Sequence, residues 1–191
     1  MKNILAILMI SFGMTSYSQS AKKMLAEIEN KWKTDANGDV TFERTVQLPN
    51  LNKQEIYNRA LTYYRNHYGN AKSVFQTTDK EKGIIIRKAM YEAHDGYSVM
   101  VSHFNVWHIL TIQAKDNIAE IHLTLTEYEE IVEKYLKPKN DDSEKMYKSL
   151  VKDNYPVNPN GSQKTMMTKA FYKAYKAAMV SLDAIEEGLK E

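Results

Sequence analysis

From residue 73 to residue 126 apolar and polar side chains alternate with a period of two, and the breaks between alternating stretches are short. Residues 73–78, 84–92, 97–104, 106–115 and 118–126 read as strands. Between them lie the turn 79–83, the turn Asp95-Gly96, a kink at Asn105 and the turn Asp116-Asn117. Connections this short force antiparallel pairing, because a parallel crossover needs about a dozen residues. One face of such a sheet must then be covered by helices.

The flanks supply the helices. Val40, Phe42, Val46 and Leu48 alternate with polar residues, and the turn 35–39, with Asn37-Gly38, pairs this strand with 32–34 in a hairpin. Arg44 interrupts the apolar face and marks that side as partly open. Pro49 ends the strand. Asn52, with Glu55 three residues on, forms a capping box. The helix that follows carries Ile56, Ala60, Tyr63 and His67 on one stripe and Tyr57, Leu61, Tyr64 and Tyr68 beside it, and Gly69-Asn70 stops it. Thr126 and Glu129 form a second capping-box pattern. Tyr128, Ile131, Val132, Tyr135 and Leu136 then predict an amphipathic helix that Pro138 terminates. Met146, Leu150 and Val151 predict a further short helix, and 154–160 a loop. Ser162 is the expected cap of a long helix reaching Leu189, with Met167, Phe171, Ala174, Ala178, Leu182 and Ile185 along its apolar stripe. This order predicts the α+β class: a curved antiparallel sheet of about five to six strands, helices packed on one face, and a long C-terminal helix.

The N-terminus reads as an address. Lys2 precedes an apolar run at 4–14 broken only by Ser11 and Gly13, and Ser16 and Ser18 offer small residues for cleavage before Gln19. That is the pattern of a secretory signal peptide over 1–18, and the run is too short for a membrane span, which needs about 20 residues. Residues 19–31 form a lysine-rich arm, 32–126 the sheet core, and 127–191 helices that pack on the core or extend it. The expected location is periplasmic or secreted.

Composition excludes several functions. The chain has 26 Lys+Arg against 24 Asp+Glu, so it lacks the strong basic excess of a nucleic-acid binder. It has no cysteine, which removes disulfides, thiolate catalysis and thiolate-bound metals.

The stretches VTFERTVQLP (40–49), KQEIYNRALTYY (53–64) and AKSVFQTTDKEKG (71–83) resemble an uncharacterised family of exported Bacteroidota proteins, a domain of unknown function with a TBP-like fold. The resemblance spans about 32–126. Its most specific parts are 55–60 and the strand start Lys72-Ser73-Val74 with Asp79 and Gly83 behind it. Lys115-Asp116 fits the family's late hairpin, but Asn117 replaces the usual glycine and Ile118-Ala119 a more basic start. The resemblance implies a fold and export; it carries no established activity and no catalytic residues.

The residues themselves carry little chemistry. His67, His94, His103, His108 and His122 show no tight ligand spacing, and no metal or other cofactor is expected. Asp35, Asn37 and Asp39 share the start of a calcium loop, but Val40 and Val46 stand where it needs Gly and Glu, and a hairpin turn accounts for all three. Residues 161–165 lack the glycine-lysine order of a phosphate loop and read as a helix start, and no G-x-S-x-G elbow occurs. Strand parity is more informative. With Asp116-Asn117 as a two-residue turn, Lys115 pairs with Ile118. His108, Leu110, Ile112, Ala114, Ala119, Ile121, Leu123 and Leu125 then form the core face. Trp107, Ile109, Thr111, Gln113, Glu120, His122 and Thr124, followed by Thr126, lie on the opposite, wettable face, the candidate binding surface. The expected function is a non-enzymatic binding module of the cell envelope, its partner an unknown protein or small ligand. A hydrolase built from His and carboxylates, or a carrier with an apolar cavity, are the alternatives.

Overall fold

A computed structural model describes residues 20–68, 74–96, 100–134 and 145–191. Residues 1–18, expected to be a signal peptide, lie outside these residues. Helix α1 (Ala21–Ile28) is capped by the Ser20 hydroxyl and leads into the hairpin of β1 (Lys33–Thr34) and β2 (Val40–Gln47). The Asp35 carboxylate accepts hydrogen bonds from the amides of Asn37 and Asp39, so the acidic turn caps itself. Helix α2 (Lys53–Tyr68) begins at the expected capping box: the Asn52 amide donates to Glu55 and the Glu55 amide donates to the Asn52 side chain.

Strands β3 (Val74–Asp79), β4 (Ile84–Gly96), β5 (Met100–Lys115), β6 (Ile118–Lys134) and β7 (Lys145–Leu150) follow, then a single 3-10 turn (Val151–Asp153) and helix α3 (Lys164–Lys190). All pairings are antiparallel, in the order β1-β2-β6-β5-β4-β3, with β7 added to β6. The first half of β6 pairs with β2 and its second half with β7. Helices α2 and α3 cover one face, and their apolar stripes meet Phe42, Leu110, Ile112, Ile121 and Leu123 in one core. Gly188 brings α3 against α2, because a Cβ there would lie 2.5 Å from the Tyr63 ring.

Four expectations are corrected. The helix predicted over 128–136 is strand as far as Lys134, where the described part of that segment ends. The cause is a bulge: Trp107 pairs with Glu127 and His108 with Leu125, leaving Thr126 as an extra residue. One inserted residue turns the inward spacing from two to three, so Leu125 and Tyr128 imitate a helical step. The short helix predicted around Met146 is β7 plus the 3-10 turn; its alternation is hidden because both faces of the strand are exposed. Residues 97–99 lie outside the described residues, but 100–104 and 106–115 are parts of one strand, and Asn105 is a ladder residue whose side chain is held on β6. Asp95-Gly96 continue β4 and pair with Ser102 and Val101, so they are not the turn.

Two local signals also resolve differently. Ser162 does not cap α3; Gln163 takes that position with φ 50° and no side-chain cap. Arg44 does not mark an open side, because its guanidinium points to α3 and pairs with Asp183 and Glu186. The departure at Asn117 has a structural reason. Asn tolerates its φ of 65°, and its side-chain oxygen accepts from the Asn50 amide, a bond glycine cannot make. Neighbouring Asp116 accepts from the Lys53 amide, tying the hairpin to the start of α2.

Candidate binding face

The seven residues expected on the wettable face do share it. Lys115 stands opposite Ile118, and the pairs Gln113–Glu120, Thr111–His122 and Ile109–Thr124 follow along β5 and β6, the two central strands. The opposite parity, from His108 to Leu125, is buried. Along the face only His122 is exposed; the other six expected residues are half-buried beside their cross-strand neighbours. Lys88 and Met90 of β4 flank Ile109 and Trp107, and Glu43 of β2 flanks His122.

The face is chemically uneven. At the hairpin end, short ion pairs run across strands, Lys33 to Glu43 at 2.5 Å and Lys115 to Glu120 at 2.5 Å, and the His122 ring stands 3.7 Å from Glu43. The Lys33 hydrogen bond holds the Glu43 carboxyl below the usual range. At the bulge end the polar groups are organised around one buried carboxylate. Glu129 accepts from the Asn105 amide at 3.0 Å and from the Trp107 indole at 3.3 Å, while only 7% exposed. The Lys148 ammonium from β7 lies 3.6 Å from Glu129 and 3.4 Å from Glu127. Burial pushes the Glu129 carboxyl up, but the Asn105 and Trp107 hydrogen bonds and the Lys148 charge outweigh it, so the group stays ionised. The Lys88 ammonium sits 4.9 Å from the Trp107 ring centroid. The bulge sets this geometry: Thr126 donates to the Trp107 carbonyl, and the residue it adds turns Glu127 and Glu129 onto the open face.

Asn105, Glu127, Glu129, Lys88 and Lys148 were not expected here. A polar Asn inside an apolar strand was a signal for Asn105. Glu127 and Glu129 were absorbed into the helix expectation, and Lys148 becomes a neighbour only through the β6–β7 pairing. The histidines scatter: the His67 ring stacks on Tyr63, His108 is in the core, and His103 stands opposite His94 on β4. Among the described residues no three His, Asp or Glu side chains converge on a metal position. A groove of about 380 Å³ lies elsewhere, at the edge of β2, between Trp32, Phe42 and Arg44 and the α3 residues Met179 and Leu182. Among the described residues no helix is long and apolar enough to cross a membrane.

An open antiparallel sheet with its helices on one side defines an α+β protein of TBP-like fold. The family comparison agrees: residues 42–129 match the model of a family described as a domain of unknown function (DUF4468) with TBP-like fold. Two crystal structures are similar. One is a TBP-like protein from Parabacteroides distasonis, 20% identical, with 80% of this chain and 96% of that chain covered and a TM-score of 0.53. The other is a DUF4468 family protein from Bacteroides ovatus, 12% identical, with 82% and 90% covered and a TM-score of 0.59. At these identities the likeness is one of fold. No match is found among curated proteins.

Proposed function

We propose that this protein is an exported binding module of the bacterial cell envelope that recognises a partner protein through the open face of its sheet. The observation that carries this reading is the arrangement at the bulge: a half-exposed Trp107 fixed by Glu129, which is itself held ionised by Asn105 and Lys148. An aromatic ring already oriented by its neighbours loses little entropy on binding, the property of a hot-spot residue. No described element covers it.

The reading makes three measurable claims. Trp107→Ala should cost at most about 2 kcal/mol of stability, less than the roughly 3–5 kcal/mol of a core aromatic. A photo-cross-linker at Gln113 should yield a partner adduct in cells, one at the exposed Glu187 on α3 should not, and Trp107→Ala should reduce the Gln113 adduct about tenfold or more. Equal adducts from both positions, or an adduct indifferent to Trp107, would show that the face is not the binding surface. Export rests on Lys2, the apolar run 4–14 and the small residues Ser16 and Ser18. Intact-mass measurement of cell fractions should find the chain beginning at Gln19 in the envelope or medium; full-length protein in the cytoplasm contradicts it.

A further inference from the structure

We propose that the free edge of β7 docks a second copy of this chain, by antiparallel strand pairing centred on Tyr147. Strand β7 is six residues long and is hydrogen-bonded to β6 along one edge; its other edge meets no described strand. Met146 and Tyr147 are each 54% exposed and Leu150 42%, three of the four large hydrophobic residues exposed among the described residues. Met146 and Leu150 lie on the open face, opposite Ile131 and Glu127, and Tyr147 lies on the other side. The strand therefore carries exposed large apolar side chains on both faces, along an edge that meets no described strand. Such an edge pairs with another strand unless something blunts it.

Two of the usual blunting devices are missing from the described residues. The strand has no proline and its pairing with β6 has no bulge. Its Lys148 is spent on Glu127 and Glu129 within the sheet. The unpaired stretch of β2 is different: Lys33–Glu43 and Arg44–Asp183 ion pairs crowd it with charge.

Self-complementarity selects the occupant and the register. Two copies joined edge to edge by a two-fold axis keep their open faces on the same side, so opposed residues must share a face. Centring on Tyr147 sets Tyr147 against Tyr147 and Met146 against Lys148, whose aliphatic stem can cover the thioether. Centring on Lys148 would set Tyr147 against Ser149 and leave each exposed ring without an aromatic partner. Aromatic pairs at directly opposed positions are favourable. Six residues per copy make a small contact, so the dimer should be weak, with a dissociation constant on the order of micromolar or above. The two open faces would join into one continuous surface.

The absence of cysteine from the chain makes the test direct. With Tyr147→Cys, the two-fold brings both new thiols within disulfide reach, because opposed Cβ atoms lie about 5 Å apart. With Ser149→Cys, each new thiol faces position 145 of the other copy, about 14 Å from its equivalent. At about 100 µM protein under mild oxidation, a protein concentration within the association range proposed above, Tyr147→Cys should convert to covalent dimer and Ser149→Cys should not. Sedimentation of the unmodified protein should show its mass doubling with concentration, and Tyr147→Lys should stay at the monomer mass. A monomer at every concentration, a dimer that survives Tyr147→Lys, or equal cross-linking at 147 and 149 overturns the proposal. Tyr147 is exposed, so these variants should fold.

Discussion

Phe171→Ala is expected to lower the unfolding free energy by about 3–5 kcal/mol, because it removes a fully buried ring and leaves a cavity in the core. The ring packs edge-on against Trp32, with centroids 5.3 Å apart, and so links α3 to the chain entering β1. Its neighbours on the stripe, from Met167 through Ala174, Ala178, Leu182 and Ile185 to Leu189, are all buried. A second aromatic contact, Phe42 to Tyr175 at 5.7 Å, joins the same helix to β2. A helix of this length has little stability without such packing. Leu182→Ala, further along the same buried stripe, should cost about 2–5 kcal/mol by the same mechanism. Chemical denaturation of both variants reads the effect. An unchanged midpoint for either would mean that α3 does not pack on the sheet in solution.

Acidification should destabilise the protein well above the carboxylate range, and His108 should be the cause. Its ring is fully buried on the core face and stacks on Tyr91 at 3.9 Å, and neither nitrogen has a hydrogen-bond partner among the described residues. Burial lowers its pKa from 6.5 to about 4; the nearby Val106 backbone pulls weakly the other way without reaching good hydrogen-bond geometry. In the unfolded chain the ordinary value applies. Above pH 6.5 both states are neutral and the stability is fully present. As the pH falls from 6.5 towards 4 the unfolded chain takes up a proton that the folded chain refuses, and stability is lost. The full loss is roughly 3 kcal/mol, and below pH 4 this contribution levels off. His108→Leu should flatten the stability profile between pH 6.5 and 4. If the variant keeps the slope, the neutral buried imidazole is not its source.

Much of this architecture was legible because it is local. The capping box at Asn52 and Glu55 needs only four residues. The two-residue turn at Asp116-Asn117 locks β5 to β6, so alternation alone sorted His108 through Leu125 from Trp107 through Thr124. The stripe of α3 was equally plain, since its spacing repeats over 27 residues. The candidate face was therefore visible as a row of positions, and its half-buried character followed from residues such as Thr111 and Gln113.

What the sequence could not determine by itself was where a regular pattern is broken by pairing. A bulge exists only relative to a partner strand, so Thr126 looked like a helix cap until its neighbours were opposite Trp107 and His108. The same extra residue turned Glu127 and Glu129 to the open face, where Glu129 meets Asn105 and Trp107. Lys148 reached that carboxylate only because β7 pairs with β6, and β7 itself carried no period to read because both of its faces stay exposed. Arg44 looked like a mark of open surface until α3 brought Asp183 and Glu186 to it across more than a hundred residues of chain. Period, cap and turn depend on neighbours along the chain and are written in it; a bulge, an edge and a long-range ion pair depend on neighbours in space, which only the assembled sheet provides.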